Sequence, residues 1–328
     1  MTGEPILQVE ELRVVFPTPK GTVHAVGGVT FEVKRGQIFG IVGESGCGKS
    51  ATGRAILQLV PSPGRITGGR ILFHGQDLAL KSKQEMQHLR GRCISMIFQD
   101  PSAALNPLFT IGQQLMMIMK RHRVVPRDAM ERRAIELLNE LGLPHPEDLL
   151  CCYPHQLSGG MKQRAMIGMA LSTEPDLIIA DEPTSALDVT IQSQILDLLV
   201  KLQREREVGV ILITHDLGVV AETCDQVAVF YRGQIVEEGE TRAIFADPKH
   251  PYTRGLMAAL PTPSRWGDAL KVIPGTVPAN LEPIVGCPFT SRCEYEMAIC
   301  QQIAPPAVGF GGSHQVLCHL YGENGGGR

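Results

Sequence analysis

The chain has 328 residues, is 43% hydrophobic and 20% charged, and carries a formal net charge of −3. That length suggests one large or two modest domains with ample apolar material for a core, and nothing in the charge points to nucleic acid or acidic lipid through bulk electrostatics. No stretch approaches the roughly 20 apolar residues of a membrane-spanning helix. The first residues, Met1-Thr2-Gly3-Glu4-Pro5, lack the pattern of a signal peptide, so the chain is expected in the cytosol with any membrane attachment through a partner.

Residues 6–16 alternate in polarity and read as a strand. Thr30–Val33 reads as a second, and the apolar run Gln37–Val42 as a third that stops at Gly43. A helix-forming stretch, Ser50–Leu59, follows. Strand, glycine loop and helix are the context that a phosphate-binding G-x-x-x-x-G-K-S loop requires, and Gly43-Glu44-Ser45-Gly46-Cys47-Gly48-Lys49-Ser50 has that form. Backbone N–H groups of such a loop surround a β-phosphate, with glycine supplying conformations other residues avoid. Lys49 is placed to reach the β- and γ-phosphates, and Ser50 to offer its hydroxyl to Mg²⁺. Phe16, 33 residues before Lys49, could stack on adenine or simply pack in the core.

Residues 70–98 return to strands around one charged helix, ending in Ile94–Phe98. Gln99 closes that strand, as a γ-phosphate sensor or as solvated polar surface. From about 102 to 172 the periodicity turns helical, with Ile111–Lys120 and Asp128–Leu141 as the clear cases. Leu157-Ser158-Gly159-Gly160-Met161-Lys162-Gln163-Arg164 opens a helix running to about Leu171. Its first N–H groups suit a phosphate. The chain already has its own loop, so Ser158 and Gly160 are expected to serve a nucleotide held by another subunit; an ordinary helix cap is the plainer reading. The run Leu177–Ala180 delivers Asp181 and Glu182 at a strand end. Asp181 there can hold Mg²⁺ through water, and Glu182 can polarise an attacking water. Helix and strand then alternate: Val189–Gln203, Val210–Thr214, Leu217–Cys224 and Val227–Tyr231. His215 ends a strand, where it could orient water. Asp188 would face a partner or cap a helix.

The expected fold is an α/β core with a helical insertion. Residues 1–260 form the body, with the helical subdomain at about 102–172. Residues 261–328 form a proline-rich linker and a cysteine-rich end. There is one phosphate loop, so the chain does not hold two fused copies. Of nine cysteines, Cys47, Cys93, Cys151, Cys152 and Cys224 are scattered, and Cys287, Cys293, Cys300 and Cys318 are gathered at the end. Their spacing, C-x5-C-x6-C-x17-C, matches neither ferredoxin template. Six prolines between 261 and 288 and few large apolar residues suggest a segment too small to order itself without a metal staple.

Phe16, Gly43–Ser50, Gln99, Leu157–Arg164, Leu177–Glu182, Ser185–Asp188 and His215 occur in the order of the adenine platform, Walker A, Q-loop, signature, Walker B, D-loop and switch of ABC transporter ATPase subunits. Residues 6 to about 260 resemble that family throughout. Gln99-Asp100-Pro101 with Leu105-Asn106-Pro107, Tyr153–Met161, His250-Pro251-Tyr252-Thr253-Arg254-Gly255-Leu256 and Ile273–Pro278 resemble the peptide/nickel importers. Within these, the D-type subunits of dipeptide and oligopeptide permeases are most similar.

The resemblance implies an ABC-type P-loop ATPase core of mixed sheet and helices, and ATP hydrolysis with Mg²⁺ that powers peptide import. It places nucleotide on Phe16, Gly43, Glu44, Ser45, Gly46, Cys47, Gly48, Lys49, Ser50 and Ala51, and a partner's nucleotide on Ser158, Gly159, Gly160, Gln163 and Asp188. It gives Mg²⁺ to Ser50, Gln99 and Asp181, and catalysis to Glu182, His215 and Gln99. Implied partners are a homologous F-type ATPase subunit, two membrane permeases and an extracytoplasmic solute-binding protein, with no nucleic acid. The chain would lie on the cytoplasmic face of the plasma membrane. Because similar D-type subunits carry a [4Fe–4S] cluster, Cys287, Cys293, Cys300 and Cys318 are expected to hold one. Tetrahedral Zn²⁺ comes next and free buried thiols last, with His319 a spare ligand. The same engine serving nickel or another small solute is the alternative, and a non-transport nucleotide-gated clamp is the alternative from another class.

Overall fold

In the computed structural model residues 4–185, 187–260, 273–278, 280–281 and 283–322 are described. The chain divides into two units. One is built from Met1–Ile6, Val33–Gln37 and Leu80–Ile213, the other from Leu7–Glu32, Ile38–Ala79 and Thr214–Arg328.

The second of these carries the phosphate loop. Its β1 (Pro5–Thr18) and β2 (Gly21–Lys34) join β4 (Arg65–Phe73) and β5 (Gln76–Asp77) in a sheet ordered β2-β1-β4-β5. Leu7 lies opposite Phe73 and Val9 opposite Ile71 in the antiparallel β1–β4 pair. The pairing register shifts between Glu10 and Arg13. This bulge lets Leu12 and Val14 stay buried on the face that Leu7 and Val9 began. β3 (Ile38–Val42), buried at all five positions, runs parallel to β9 (Gln226–Tyr231). β10 (Gln234–Glu240) returns antiparallel through Arg232-Gly233, a two-residue turn in which both φ angles are positive. β12 (Gln315–Leu317) pairs antiparallel with β10, and β11 (Ala307–Gly309) with β12. Parallel and antiparallel pairs therefore share one mixed sheet. The helices here are α1 (Lys49–Ile56), α9 (Leu217–Thr223), α10 (Thr241–Ala246) and α11 (Pro251–Ala258).

In the other unit β6 (Ile94–Ile97), β7 (Leu177–Asp181) and β8 (Gly209–Thr214) are parallel neighbours, with Ala180 opposite both Ile97 and Leu212. Every residue of β7 and β8 is buried, as continuous apolar runs in parallel sheets require. The helices are α2 (Lys83–Leu89), α3 (Pro101–Ala104), α4 (Ile111–His122), α5 (Met130–Glu140), α6 (Pro146–Cys151), α7 (Gly159–Leu171) and α8 (Val189–Arg206). Thr110 and Gln113 close a capping box at the start of α4, and Arg123 ends it with a left-handed φ of 53°. α5 buries Ala134, Leu137 and Leu138, one helical stripe. Its Glu140 forms ion pairs with Arg133 and with Arg206 at the end of α8.

The C-terminal segment corrects the sequence expectation. Residues 261–272 of the proline-rich stretch lie outside the described residues. Beyond them the chain is not coreless. It adds β12 to the edge of β10 and buries Phe289 beside Tyr231, Tyr252 and His250, with ring centroids 5.1, 5.4 and 5.8 Å away. His314 Nε2 lies 2.8 Å from the buried Glu237 carboxylate, which accepts. No group of three or more His, Cys, Asp or Glu side chains among the described residues could hold a metal ion. The expected [4Fe–4S] cluster on Cys287, Cys293, Cys300 and Cys318 is thereby overturned, together with the zinc alternative. Cys300 and Cys318 are buried, and Cys287 and Cys293 half-buried. Burial, then neighbouring thiols, push Cys293 and Cys318 up to about 11, and burial raises Cys287 as well. His319, the spare ligand, has its Nε2 on the Ile303 carbonyl instead, 2.9 Å away.

Candidate nucleotide site

In the unit holding β3, the strand ends at Val42 and the loop begins. Gly43 has φ +151° and Gly48 φ +106°, and a Cβ on either would stand 2.2 Å from a backbone oxygen, of Phe230 and Ala25 respectively. Only glycine fits both places. Gly48 caps α1 without a side-chain bond, so no side chain covers the first N–H groups of the helix, an end that favours an anion. Lys49, 5% exposed, lies folded within the loop. Its ammonium donates to the carbonyls of Gly43 at 2.7 Å and Glu44 at 3.0 Å. Cys47 is fully buried beneath them, its Sγ 3.8 Å from Lys49 Nζ. Burial raises its pKa although the ammonium acts the other way. Ser45 and Gly46 are exposed and Ser50 half-buried. Ala51 lies in the first turn of α1. Phe16 is half-buried on β1, its ring against Gly64. His215 is exposed directly after β8. The next residue, Asp216, caps α9 by accepting from the N–H groups of Gly218 and Val219.

In the other unit β7 ends in Asp181, 3% exposed. Glu182 takes a left-handed φ of 46°. Its N–H donates to the Ile213 carbonyl at 2.9 Å, and its own carbonyl accepts from the Ser185 hydroxyl at 3.2 Å. Gln99, exposed after β6, donates from Nε2 to Glu182 Oε2 at 2.9 Å. The Q-loop glutamine and the Walker B glutamate are thus brought together, as the sequence order alone did not reveal. Ser158 caps α7 by accepting from the Met161 N–H at 3.4 Å, with Gly159 and Gly160 in the first turn. Gln163, expected at the nucleotide, is 1% exposed and donates to the carbonyl of Pro183. It holds the turn that follows Glu182. Asp188 caps α8 by accepting from the Ile191 N–H at 3.0 Å.

Sequence reasoning missed two residues at the phosphate loop. The Tyr252 hydroxyl accepts from the Glu44 N–H at 3.0 Å. Arg292 places Nη1 3.1 Å from both Glu44 carboxylate oxygens. Tyr252 sits in a motif that had been singled out; nothing in the sequence flagged Arg292.

Residues 26–185 match the family profile described as ABC transporter, and residues 236–300 that described as oligopeptide/dipeptide transporter, C-terminal region. The dipeptide transport ATP-binding protein DppD of Bacillus subtilis is 49% identical over 97% of this chain and 95% of its own length. The oligopeptide transport ATP-binding protein OppD of the same organism is 48% identical over 96% of this chain and 88% of its own. Among solved structures, a dimeric bacterial ABC transporter cassette superposes with a TM-score of 0.65 at 27% identity, covering 72% of this chain and 99% of that one.

Proposed function

Because the chain belongs to the ABC transporter family of ATP-hydrolysing subunits, we propose that it powers import of dipeptides or oligopeptides. In this reading it pairs with a homologous F-type ATPase subunit and drives two membrane permeases fed by an extracytoplasmic solute-binding protein. It would act on the cytoplasmic face of the membrane, held there by the permeases. No helix among the described residues is long and apolar enough to cross a membrane. The observation that carries the peptide assignment is the C-terminal region, residues 236–300, which matches the oligopeptide/dipeptide profile. We retain 1–260 as the ATPase body and 261–328 as an appended segment.

In the proposed mechanism Lys49 exchanges the Gly43 and Glu44 carbonyls for phosphate oxygens, and the N–H groups of the loop and of Ser50 and Ala51 surround the β-phosphate. Phe16 stacks on the base. The Ser50 hydroxyl and the Asp181 carboxylate are hard oxygen donors of the kind Mg²⁺ takes, Gln99 adding an amide oxygen. When bound, that ion neutralises charge on the phosphates. Glu182 accepts the proton of the attacking water, and His215 orients that water. Ser158, Gly159 and Gly160, with Asp188, face a nucleotide held by the partner, so closure of the pair completes each site. Glu182→Gln should keep ATP binding and lower turnover by ~10²–10⁴, the worth of a positioned base. The test is peptide-stimulated hydrolysis by the complex, reconstituted with its permeases and binding protein. Near-normal hydrolysis by the variant would remove Glu182 from its role. Stimulation by nickel rather than peptides would overturn the substrate.

A further inference from the structure

Glu44 occupies a position in the phosphate loop where the motif permits any residue, yet each of its polar groups is engaged. Its carboxylate accepts from Arg292 Nη1 at 3.1 Å on both oxygens. Its N–H donates to the Tyr252 hydroxyl. Its carbonyl accepts from the Lys49 ammonium at 3.0 Å and from the Cys47 N–H at 3.4 Å. Two of these anchors belong to α11 and the C-terminal segment; the other two, Lys49 and Cys47, belong to the phosphate loop itself. Arg292 is itself fixed. Its side chain is 6% exposed, against 29% for that of Glu44. Its Nε donates to the Pro274 carbonyl at 2.8 Å, and Nη1 also meets the Tyr231 hydroxyl at 3.3 Å. Tyr231 and Tyr252 both pack on Phe289, three residues before Arg292.

We propose that Arg292 is a positioning residue for nucleotide: through Glu44 it holds the phosphate loop in its cradle shape, so that the C-terminal segment is part of the ATP site. This rests on the nucleotide reading of Gly43–Ser50. A buried guanidinium on a carboxylate is a strong, directional contact. Glu44 supplies one of the two loop carbonyls that hold Lys49, so the anchor sets where that ammonium starts. When the ammonium moves to phosphate, the loop keeps its shape only if Glu44 stays fixed. A loop freed from Arg292 would have to be ordered by the ligand, which weakens binding. The coupling is reciprocal by linkage: nucleotide should tighten the segment as the segment tightens nucleotide.

The test measures binding of a fluorescent ATP analogue to the full chain, and KM and kcat of the assembled complex, for Arg292→Gln, Glu44→Gln and the double variant. Each single variant should raise Kd and the KM for ATP by about tenfold, within the usual range of site-to-site coupling, and Arg292→Gln should leave kcat within about twofold. The double variant should be no worse than either single one. In the wild type, ATP should slow amide exchange over residues 287–293, and Glu44→Gln should abolish that protection. Glu44→Gln leaves Arg292 and the aromatic cluster in place, and amide exchange over residues 287–293 without nucleotide reports whether the segment stays folded. Wild-type affinity in Glu44→Gln, or additive losses in the double variant, would overturn the inference while leaving the nucleotide site standing. A wild type that binds the analogue no better than Lys49→Ala would overturn the nucleotide reading and this inference with it.

Discussion

Phe289→Ala asks what holds the C-terminal segment in place. The ring is 3% exposed and lies among Tyr231, Tyr252 and His250 at centroid distances of 5.1, 5.4 and 5.8 Å. Truncating a buried phenylalanine costs about 3–5 kcal/mol in lost transfer and cavity terms, and here most of that falls on docking of the segment. A loss of about 4 kcal/mol raises the open population about a thousandfold. Amide exchange over residues 287–321 and cleavage by a dilute protease read this directly, with the amides of β3 and β9 as the internal reference. Cys293→Ser removes a half-buried thiol outside the aromatic cluster and should cost below about 1 kcal/mol. A Phe289→Ala segment that stays protected, or a Cys293→Ser segment that opens as widely, would refute burial as the force that orders it.

Two further outcomes are expected. Glu238 on β10 is half-buried, and desolvation, then Glu32, push its carboxyl up from 4.5 to about 7. A carboxyl raised on folding contributes stability that is full below pH 4.5 and lost as pH rises through 7, so Glu238→Gln should flatten the decline between pH 5 and 8 by about 1–3 kcal/mol, nearer the lower figure given partial exposure; parallel melting profiles would refute this. Asp188→Ala should cost about 1 kcal/mol by removing the cap of α8. Asp188→Ser should restore the melting temperature but not the ATPase rate of the complex; a rate that returns with stability would leave Asp188 a cap alone.

The nucleotide elements were legible because each is local. A strand, a glycine loop and a helix are consecutive, so Gly43 and Gly48 could be placed from spacing and the positive φ angles followed. β7 and β8 announced themselves as unbroken apolar runs. The C-terminal segment was misread for the opposite reason. β12 has three residues, too few for a period, and its partner β10 is far away in sequence. Phe289 looks like an isolated aromatic until Tyr231 and Tyr252 surround it. Four cysteines at close spacing were visible and the core that buries Cys300 and Cys318 was not. The Arg292–Glu44 pair spans 248 residues and leaves no mark in local pattern. The bond from Gln163 to the Pro183 carbonyl likewise joins residues twenty apart and is invisible in local pattern.

Glu182 sits at a strained point, and the strain bears on how its replacement should be read. A non-glycine residue at φ +46° costs on the order of 1–3 kcal/mol and persists only where its surroundings insist. Here the Ile213 carbonyl takes the backbone N–H, and Ser185 bonds back to the carbonyl. Gln163 fixes the Pro183 carbonyl one residue on, and Gln99 fixes one side-chain oxygen at 2.9 Å. The backbone is thus held by contacts that do not involve the carboxylate's charge. Glutamine at 182 has the same length and can still present its amide oxygen to Gln99. Geometry is therefore retained, while the capacity to accept a proton is removed. In the proposed mechanism, a loss of turnover in Glu182→Gln therefore measures proton transfer to this carboxylate, separately from the strained turn that aims it.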